Sequence, residues 1–267
     1  MDYQFEKLTD QEKLDFATYI ANQNLSDLNL KLDNIVFKET IYTKYIKRIL
    51  DVLISFPAVI VTLPINVFLA IATFFDVGRP LIFYQERTGK ELKNFNFGKF
   101  RNMRDERDEN GILLLAKDRV TDWGRFVRKT SLDELLNFWY ILKGDMSVIG
   151  PRPLPSEYTE RFNKRDINRY KVRPGLECPL HKKEYRGGMT WQNRFDNDVW
   201  YVEHISFITD VKLFAFLIYD AIYGRKHDYR ANAEIGTFMG YEKDGTVIDS
   251  NDIPVEYYIG FMKTKGL

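Results

Sequence analysis

The first break in the pattern of hydrophobic and polar positions lies between Asp51 and Asp76, where 24 residues, VLISFPAVIVTLPINVFLAIATFF, carry no charge. A straight helix of that length reaches about 36 Å, enough for a bilayer core of roughly 30 Å. The core helix of a soluble protein is the plainer alternative. Pro64 stands at the midpoint and Pro57 lies seven residues earlier; each removes a backbone donor and crowds the preceding turn. Lys44, Lys47 and Arg48 precede the segment, and Arg79, Arg87 and Lys90 follow it. Because positive residues favour the cytoplasmic side, basic flanks at both ends predict a hairpin that enters, bends near Pro64 and returns. Asn66 is placed to hydrogen-bond a carbonyl freed by the proline. A kinked single span is the competing topology.

Elsewhere the pattern is that of short elements. Thr9 and Glu12 form a capping-box pattern ahead of LDFATYIANQ, a short helix, and the alternation in LNLKL (28–32) predicts a strand. LIFYQERTGKELKNFNFGKFRNM predicts two strands joined around Gly89 and Lys90. VTDWGRFVRKT is a short helix with Arg125 and Arg128 three apart. SLDELLNFWYILKG is an amphipathic helix: Ser131 and Glu134 form its capping box, and Leu132, Leu135, Leu136, Trp139 and Leu142 its stripe. Gly144 is its stop. Asp133 and Glu134 are then explained as first-turn acids offsetting the helix dipole. GPRPLP (150–155) and VRPG (172–175) are rigid turns. DVKLFAFLIYDAIYG (210–224), followed by Arg225, Lys226 and His227, is either a core helix or an interfacial one.

A net charge of +1 argues against a nucleic-acid partner, and a single cysteine, Cys178, excludes an intrachain disulfide framework. The acidic N-terminus has no early apolar run of the secretory type. Between Arg87 and Arg152 the chain concentrates cations at turns and element ends. Arg87, Lys99, Arg101, Arg125, Arg128 and Arg152 offer donors for phosphate oxygens. Asp105, Glu106, Asp133, Glu134 and Asp145, in the same interval, offer oxygens to a hard cation such as Mg²⁺. Cations, carboxylates and an attached membrane helix point to chemistry on a phosphorylated substrate at a bilayer surface. Spacing alone does not choose between Asp105-Glu106 and Asp108-Glu109 as an acid pair.

The order KRxxD (Lys47, Arg48, Asp51), apolar segment with a central proline, QERTG, KFRNM, DE, RKTSLDEL, LKGDMSVIGPRP, VRPG and DVWYVE (198–203) resembles the bacterial sugar transferases, the monotopic polyprenyl-phosphate phosphoglycosyl transferases. The resemblance covers roughly residues 44–230. It implies an α/β protein: a small cytosolic mixed α/β catalytic domain (79–230) with a re-entrant membrane helix hairpin (45–78) and interfacial amphipathic helices. An N-terminal appendage (1–44) and a C-terminal extension (231–267) flank it. The implied reaction moves a sugar-1-phosphate from a UDP-sugar donor to undecaprenyl phosphate, releasing UMP, with Mg²⁺ as cofactor, on the cytoplasmic face of the bacterial cytoplasmic membrane and against inner-leaflet lipid. Carried onto this chain, Asp105 is the nucleophile and Glu106 a metal ligand beside it. Arg101 and Arg128, then Lys99 and Arg87, are phosphate contacts, and the Arg152-Pro153 turn touches the nucleotide. Leu63 stands where many relatives have serine before the proline, and LECPLHKKEYRGG (176–188) replaces an apolar, glycine-containing strand. A catalytically silent membrane scaffold and a soluble phosphate-ester hydrolase are the rival readings, and both monomer and homodimer stay open.

Overall fold

The computed structural model describes residue 5 and residues 8–33, 35–109, 111, 114, 116–181, 190–223 and 236–265. The fold is mixed α/β. Helices α1 (Asp10–Lys31) and α2 (Lys47–Val77) precede a hairpin of β1 (Ile82–Thr88) and β2 (Asn94–Phe100). Helices α3 (Asp122–Lys129) and α4 (Asn137–Lys143) lead to β3 (Ser147–Ile149), which pairs in parallel with β4 (Gly175–Glu177). Then come α5 (Trp191–His204), α6 (Phe207–Tyr223), the antiparallel pair β5 (Phe238–Tyr241) and β6 (Val247–Asp249), and α7 (Val255–Thr264). Arg225, Lys226, His227 and residues 182–188 of the atypical segment lie outside the described residues.

Helix α1 starts as its sequence indicates: the Thr9 hydroxyl accepts from Glu12 N, and Glu12 answers the Thr9 N–H. It does not stop at Gln23, and the strand expected at 28–32 is the helix's last turn. The buried positions Phe16, Ala17, Ile20, Ala21, Asn24 and Leu28 continue one helical face, so Leu28 belongs to a 3.6-residue period and not to a two-residue one. That face packs on Met239, Ile248, Tyr257 and Phe261, so the two segments flanking the family-like region assemble together. They also close over an aromatic cluster of Tyr158, Phe162, Tyr170, Trp191 and Phe195, with Phe238 of β5 inserted among them.

Helix α2 inverts ordinary amphipathicity. Its buried stripe is largely polar (Asp51, Ser55, Thr62 and Thr73, with Leu69), while Leu53, Phe56, Ile60, Val61, Phe68 and Phe75 face outward, the last 81% exposed. It is therefore not the core helix of a soluble protein. Among the described residues, Tyr42–Val77 is long and apolar enough to cross a membrane. The helix continues through Pro57 and Pro64. Asn66 Nδ2 donates to Thr62 Oγ1 (3.5 Å), and Thr62 in turn donates to the Ala58 carbonyl (2.8 Å). Asn66 thus bonds a hydroxyl one turn away on the same stripe and not, as expected, a carbonyl freed by Pro64.

Both ends of α2 are fastened to the same body. At its start Lys47 Nζ meets Asp210 Oδ2 (2.6 Å), Arg48 donates to the Ile141 and Leu142 carbonyls (2.5 and 2.7 Å), and Asp51 accepts from Ser147 Oγ and Val148 N. At its end Thr121 donates to Asp76 (2.6 Å), the Arg101 guanidinium caps the Val77 carbonyl, and Leu69 packs with Phe100 and Val127. Phe238→Ala is expected to cost about 3–5 kcal/mol, because it empties a fully buried ring site shared by both flanking segments and the aromatic cluster. Chemical denaturation in detergent measures it.

Candidate active site

The hairpin delivers the first side chains. Arg87 pairs with Phe95, Gln85 with Phe97 and Phe83 with Lys99. Directly opposed residues share a face, and so do residues two apart along a strand. Arg87, Phe97 and Lys99 therefore project together, and all three line a cleft of about 70 Å³. Arg87 is held in place by donating to the Pro153 carbonyl (3.0 Å) and to Gln85 Oε1 (2.7 Å), with its guanidinium over the Phe97 ring.

The opposite wall comes from the turn before α4. Ser131 takes a left-handed conformation (φ 55°) and makes no side-chain cap, so the capping box expected from Ser131 and Glu134 is absent. A 3₁₀ turn, Leu132–Glu134, stands there instead, and the Glu134 carboxylate goes to Arg152 Nη2 at 2.6 Å. The physical reason is competition: a charged guanidinium across the cleft outbids a single backbone N–H for the carboxylate. Asp133, Asn137 and Ile141, four apart, are the buried face of this segment, while Trp139 of the expected stripe is 58% exposed. Leu132, Leu135 and Leu136 pack as expected against Phe100 and Val127. Asp133, Glu134 and Asn137 line the cleft.

Arg152 and Pro153 close it. The turns GPRP and VRPG meet backbone to backbone: a Cβ on Gly175 would come within 2.2 Å of Gly150 N, so neither side tolerates a side chain. The Arg152 carbonyl accepts from Arg169 Nη2 (2.7 Å), and Arg169 is paired with Asp198 (2.8 Å), both almost fully buried. Burial lifts the Asp198 carboxyl to about 6 even though Arg169 opposes the shift. Arg152 itself bridges Glu134 and Glu177.

The electrostatics are those of an anion site beside an acid. Burial, then the charges of Arg128, Arg87 and Arg152, pull the Lys99 ammonium below the ordinary lysine value, while Asp133 opposes them. Burial, then adjacent Glu134, pushes the Asp133 carboxyl upward, against Lys99 and Arg128. Arg128 donates to Asn102 Oδ1 (2.8 Å) beside this group.

Four of the expected phosphate or nucleotide residues thus meet in one cleft: Arg87, Lys99, Arg152 and Pro153. Arg128 lies near enough for its charge to act on Lys99 and Asp133. Arg101 is committed to the end of α2, donating to the Val77 and Arg79 carbonyls. Asp105 lies 3.4 Å from Arg101 Nη1 with its side chain 69% exposed, and Glu106 is exposed beside Arg104. The cleft lining includes neither. Asp133 and Glu134, read from sequence as dipole-offsetting acids and among the oxygens offered to a hard cation, are the carboxylates that line it beside its cations. The signal for them was present in the RKTSLDEL block; Asn137 and Arg169 gave none.

Comparison with known proteins agrees with this architecture. Residues 42–222 match the family described as bacterial sugar transferase, and the chain belongs to that family. It is 36% identical over 173 residues to the uncharacterised sugar transferase EpsL of Bacillus subtilis, covering 65% of this chain and 85% of that one. It is 32% identical to an undecaprenyl-phosphate galactose phosphotransferase of Salmonella typhimurium, over 69% of this chain and 41% of the relative. A UDP-glucose:undecaprenyl-phosphate glucose-1-phosphate transferase of Klebsiella pneumoniae is 31% identical, over 65% and 39% respectively. The chain therefore spans only about two fifths of the length of these last two relatives.

Lys99→Met is expected to weaken binding of inorganic pyrophosphate, measured by calorimetry, without lowering the unfolding midpoint at neutral pH. The sign follows from the direction of the shift: a folded-state pKa below 10.5 means the ammonium subtracts stability at neutral pH, and the penalty disappears above the unfolded value. Anion affinity of the wild type should accordingly fall as pH rises through that lowered pKa.

Proposed function

We propose that this chain transfers a sugar-1-phosphate from a UDP-sugar to undecaprenyl phosphate, with Asp133 as the nucleophile. The observation that carries the reading is the cleft itself: a buried carboxylate facing Lys99, Arg87 and Arg152, in a member of the sugar transferase family. Relatives are named for transfer of galactose phosphate or glucose-1-phosphate to undecaprenyl phosphate.

An Asp133 oxygen attacks the phosphorus that bears the sugar. The bond from that phosphorus to the bridging oxygen breaks, and UMP leaves with the oxygen and the electron pair. A phosphate oxygen of undecaprenyl phosphate then attacks the same phosphorus and frees the carboxylate, leaving the sugar on a lipid diphosphate. Dividing the transfer in this way replaces one encounter of three bulky anions by two simpler displacements. Lys99, Arg87 and Arg152 neutralise the diphosphate that would otherwise repel the carboxylate. Asp133 must be ionised to attack, and Lys99 and Arg128 favour that form against burial and Glu134.

The adjacent acids Asp133 and Glu134 fit Mg²⁺, which takes one or two carboxylates together with substrate phosphates. The mutual repulsion that raises Asp133 is what a hard cation relieves. Bound there, Mg²⁺ would supply further screening of the diphosphate charge.

The site belongs at a membrane surface. The inward polar stripe of α2, its outward Leu, Ile and Phe side chains, and the attachment of both its ends to one body support a re-entrant helix with both ends on the cytoplasmic face. Phe207, Ile208, Val211, Ile218 and Tyr219 leave an exposed apolar edge along α6, as an interfacial helix requires. The family-like body (79–230) is then the catalytic domain. A second reading keeps Asp105 as nucleophile with Glu106 beside it, on the strength of the Arg101 contact.

Two experiments decide these points. Asp133→Asn should abolish UMP release from a panel of UDP-sugars in detergent, while Asp105→Asn retains at least a tenth of it; the reverse result moves the nucleophile to Asp105, and no release by the wild type with any donor favours a silent scaffold. Cysteines introduced at the exposed positions Lys38 and Lys93 should both react with an impermeant reagent from the cytoplasmic side only. Labelling of one from each side would make α2 a single span.

A further inference from the structure

Among the side chains lining the cleft, Asn137 is the one neutral hydrogen-bonding group; the other polar ones are Arg87, Lys99, Asp133, Glu134 and Arg152. It is 3% exposed, and its Oδ1 has no hydrogen-bond partner. A buried amide left unpaired costs roughly 1–3 kcal/mol, so its presence calls for a compensating role. An apolar residue would fill the same place on the buried face of α4 without that penalty.

We infer that Asn137 is a specificity residue that hydrogen-bonds the uncharged sugar of the donor, at a substituent close to the anomeric carbon. This rests on the proposed reaction at Asp133. The cationic lining groups suit phosphates; the amide, which both donates and accepts, suits hydroxyl and acetamido groups. Position selects the sugar over the nucleoside. Asp133 and Asn137, four residues apart in the chain, are both buried and both line the cleft. The phosphorus attacked by Asp133 carries the sugar through a single oxygen, whereas the ribose is separated from it by the second phosphate. A group in the same small cleft, four residues from the nucleophile, therefore meets the sugar's near edge before any part of the uridine. Met146 and Leu176 add apolar surface to the same cleft, against which a pyranose ring can lie.

The test compares Asn137→Ala and Asn137→Leu with the wild-type protein in detergent. Calorimetry gives affinities for UDP and for UDP-glucose, UDP-galactose and their N-acetyl counterparts, and UMP release gives kcat/KM for each. UDP affinity should stay unchanged, while the best-bound UDP-sugar loses about tenfold and the preference among sugars narrows. Asn137→Leu should do this with an unfolding midpoint equal to or above that of the wild type, since it removes an unpaired buried polar atom. An equal loss for UDP and the UDP-sugars would place Asn137 on the nucleotide and overturn the inference. An unchanged ratio of UDP-sugar to UDP affinity in both variants would also overturn it. Because these ratios are read from binding, they are separate from the turnover lost in Asp133→Asn, so a wrong nucleophile and a wrong specificity residue give different results.

Discussion

A carboxyl group at position 133 is excluded from most of the solvent, next to a second carboxylate, and Lys99 and Arg128 oppose the upward push that burial and Glu134 give it. That balance sets the architecture around it. Lys99 and Arg87 arrive on one face of a hairpin, Arg152 on a turn clamped between two glycines, and Glu134 is drawn across to Arg152. None of these charges is independent: Lys99 is depressed by burial and the neighbouring arginines, and Asp133 is raised by burial and Glu134. A diphosphate, such as the proposed donor carries, would relieve the first strain, and a divalent cation would relieve the second.

The same short segment carries the site and meets the apolar helix. Residues 133 and 137 face the cleft, and at the other end of α4 the Ile141 and Leu142 carbonyls accept from Arg48 of α2. The Ile141 carbonyl also accepts from the Gly144 N–H (3.1 Å), and Gly144, in a left-handed conformation (φ 105°), leaves room for the guanidinium beside it. Lys47 and Asp51 add contacts to Asp210 and to β3, the strand that runs into the GPRP turn. The apolar helix and the wall of the cleft therefore share one rigid joint. A lipid-borne acceptor reaching the cleft along α2 would be guided by elements already fixed relative to Asp133.

Much of this was legible before any coordinates, and the exceptions have specific causes. The uncharged 52–75 stretch, the hairpin and the Gly144 stop follow from composition and period. Of the six cations counted at turns and element ends, Arg87, Lys99 and Arg152 line the cleft and Arg101, Arg125 and Arg128 do not; Pro153 came from the resemblance. What misled was local sufficiency. Ser131 and Glu134 satisfy a capping pattern by spacing, yet a tertiary partner, Arg152, takes the carboxylate, and the acids that seemed explained by a helix dipole are turned into the cleft. The LNLKL alternation failed for a similar reason: with only Leu28, Leu30 and Leu32 to judge by, a two-residue period is too short to tell from the tail of a helix. Exposure separates them, since Leu28 is buried while Leu30 is not. The pairing of Arg169 with Asp198 joins residues distant in the chain, and no local pattern announces such a contact.

The flanking segments, which lie outside the family match at 42–222, also bear on the cleft. Phe238 fills the aromatic cluster, its carbonyl accepts from Arg161 (2.6 Å), and the Tyr241 hydroxyl donates to Asp166 (2.9 Å). Arg161 and Asp166 belong to the two 3₁₀ segments, Ser156–Arg161 and Asp166–Lys171, that follow the GPRP turn. The second of these contains Arg169, whose guanidinium holds the Arg152 carbonyl. A continuous line of buried contacts thus runs from the chain's two ends to the residue that faces Glu134. In this chain the extensions are part of what keeps the cleft's third wall in place, and shortening them would loosen Arg152 and, through the Pro153 carbonyl, Arg87, before it disturbed Lys99.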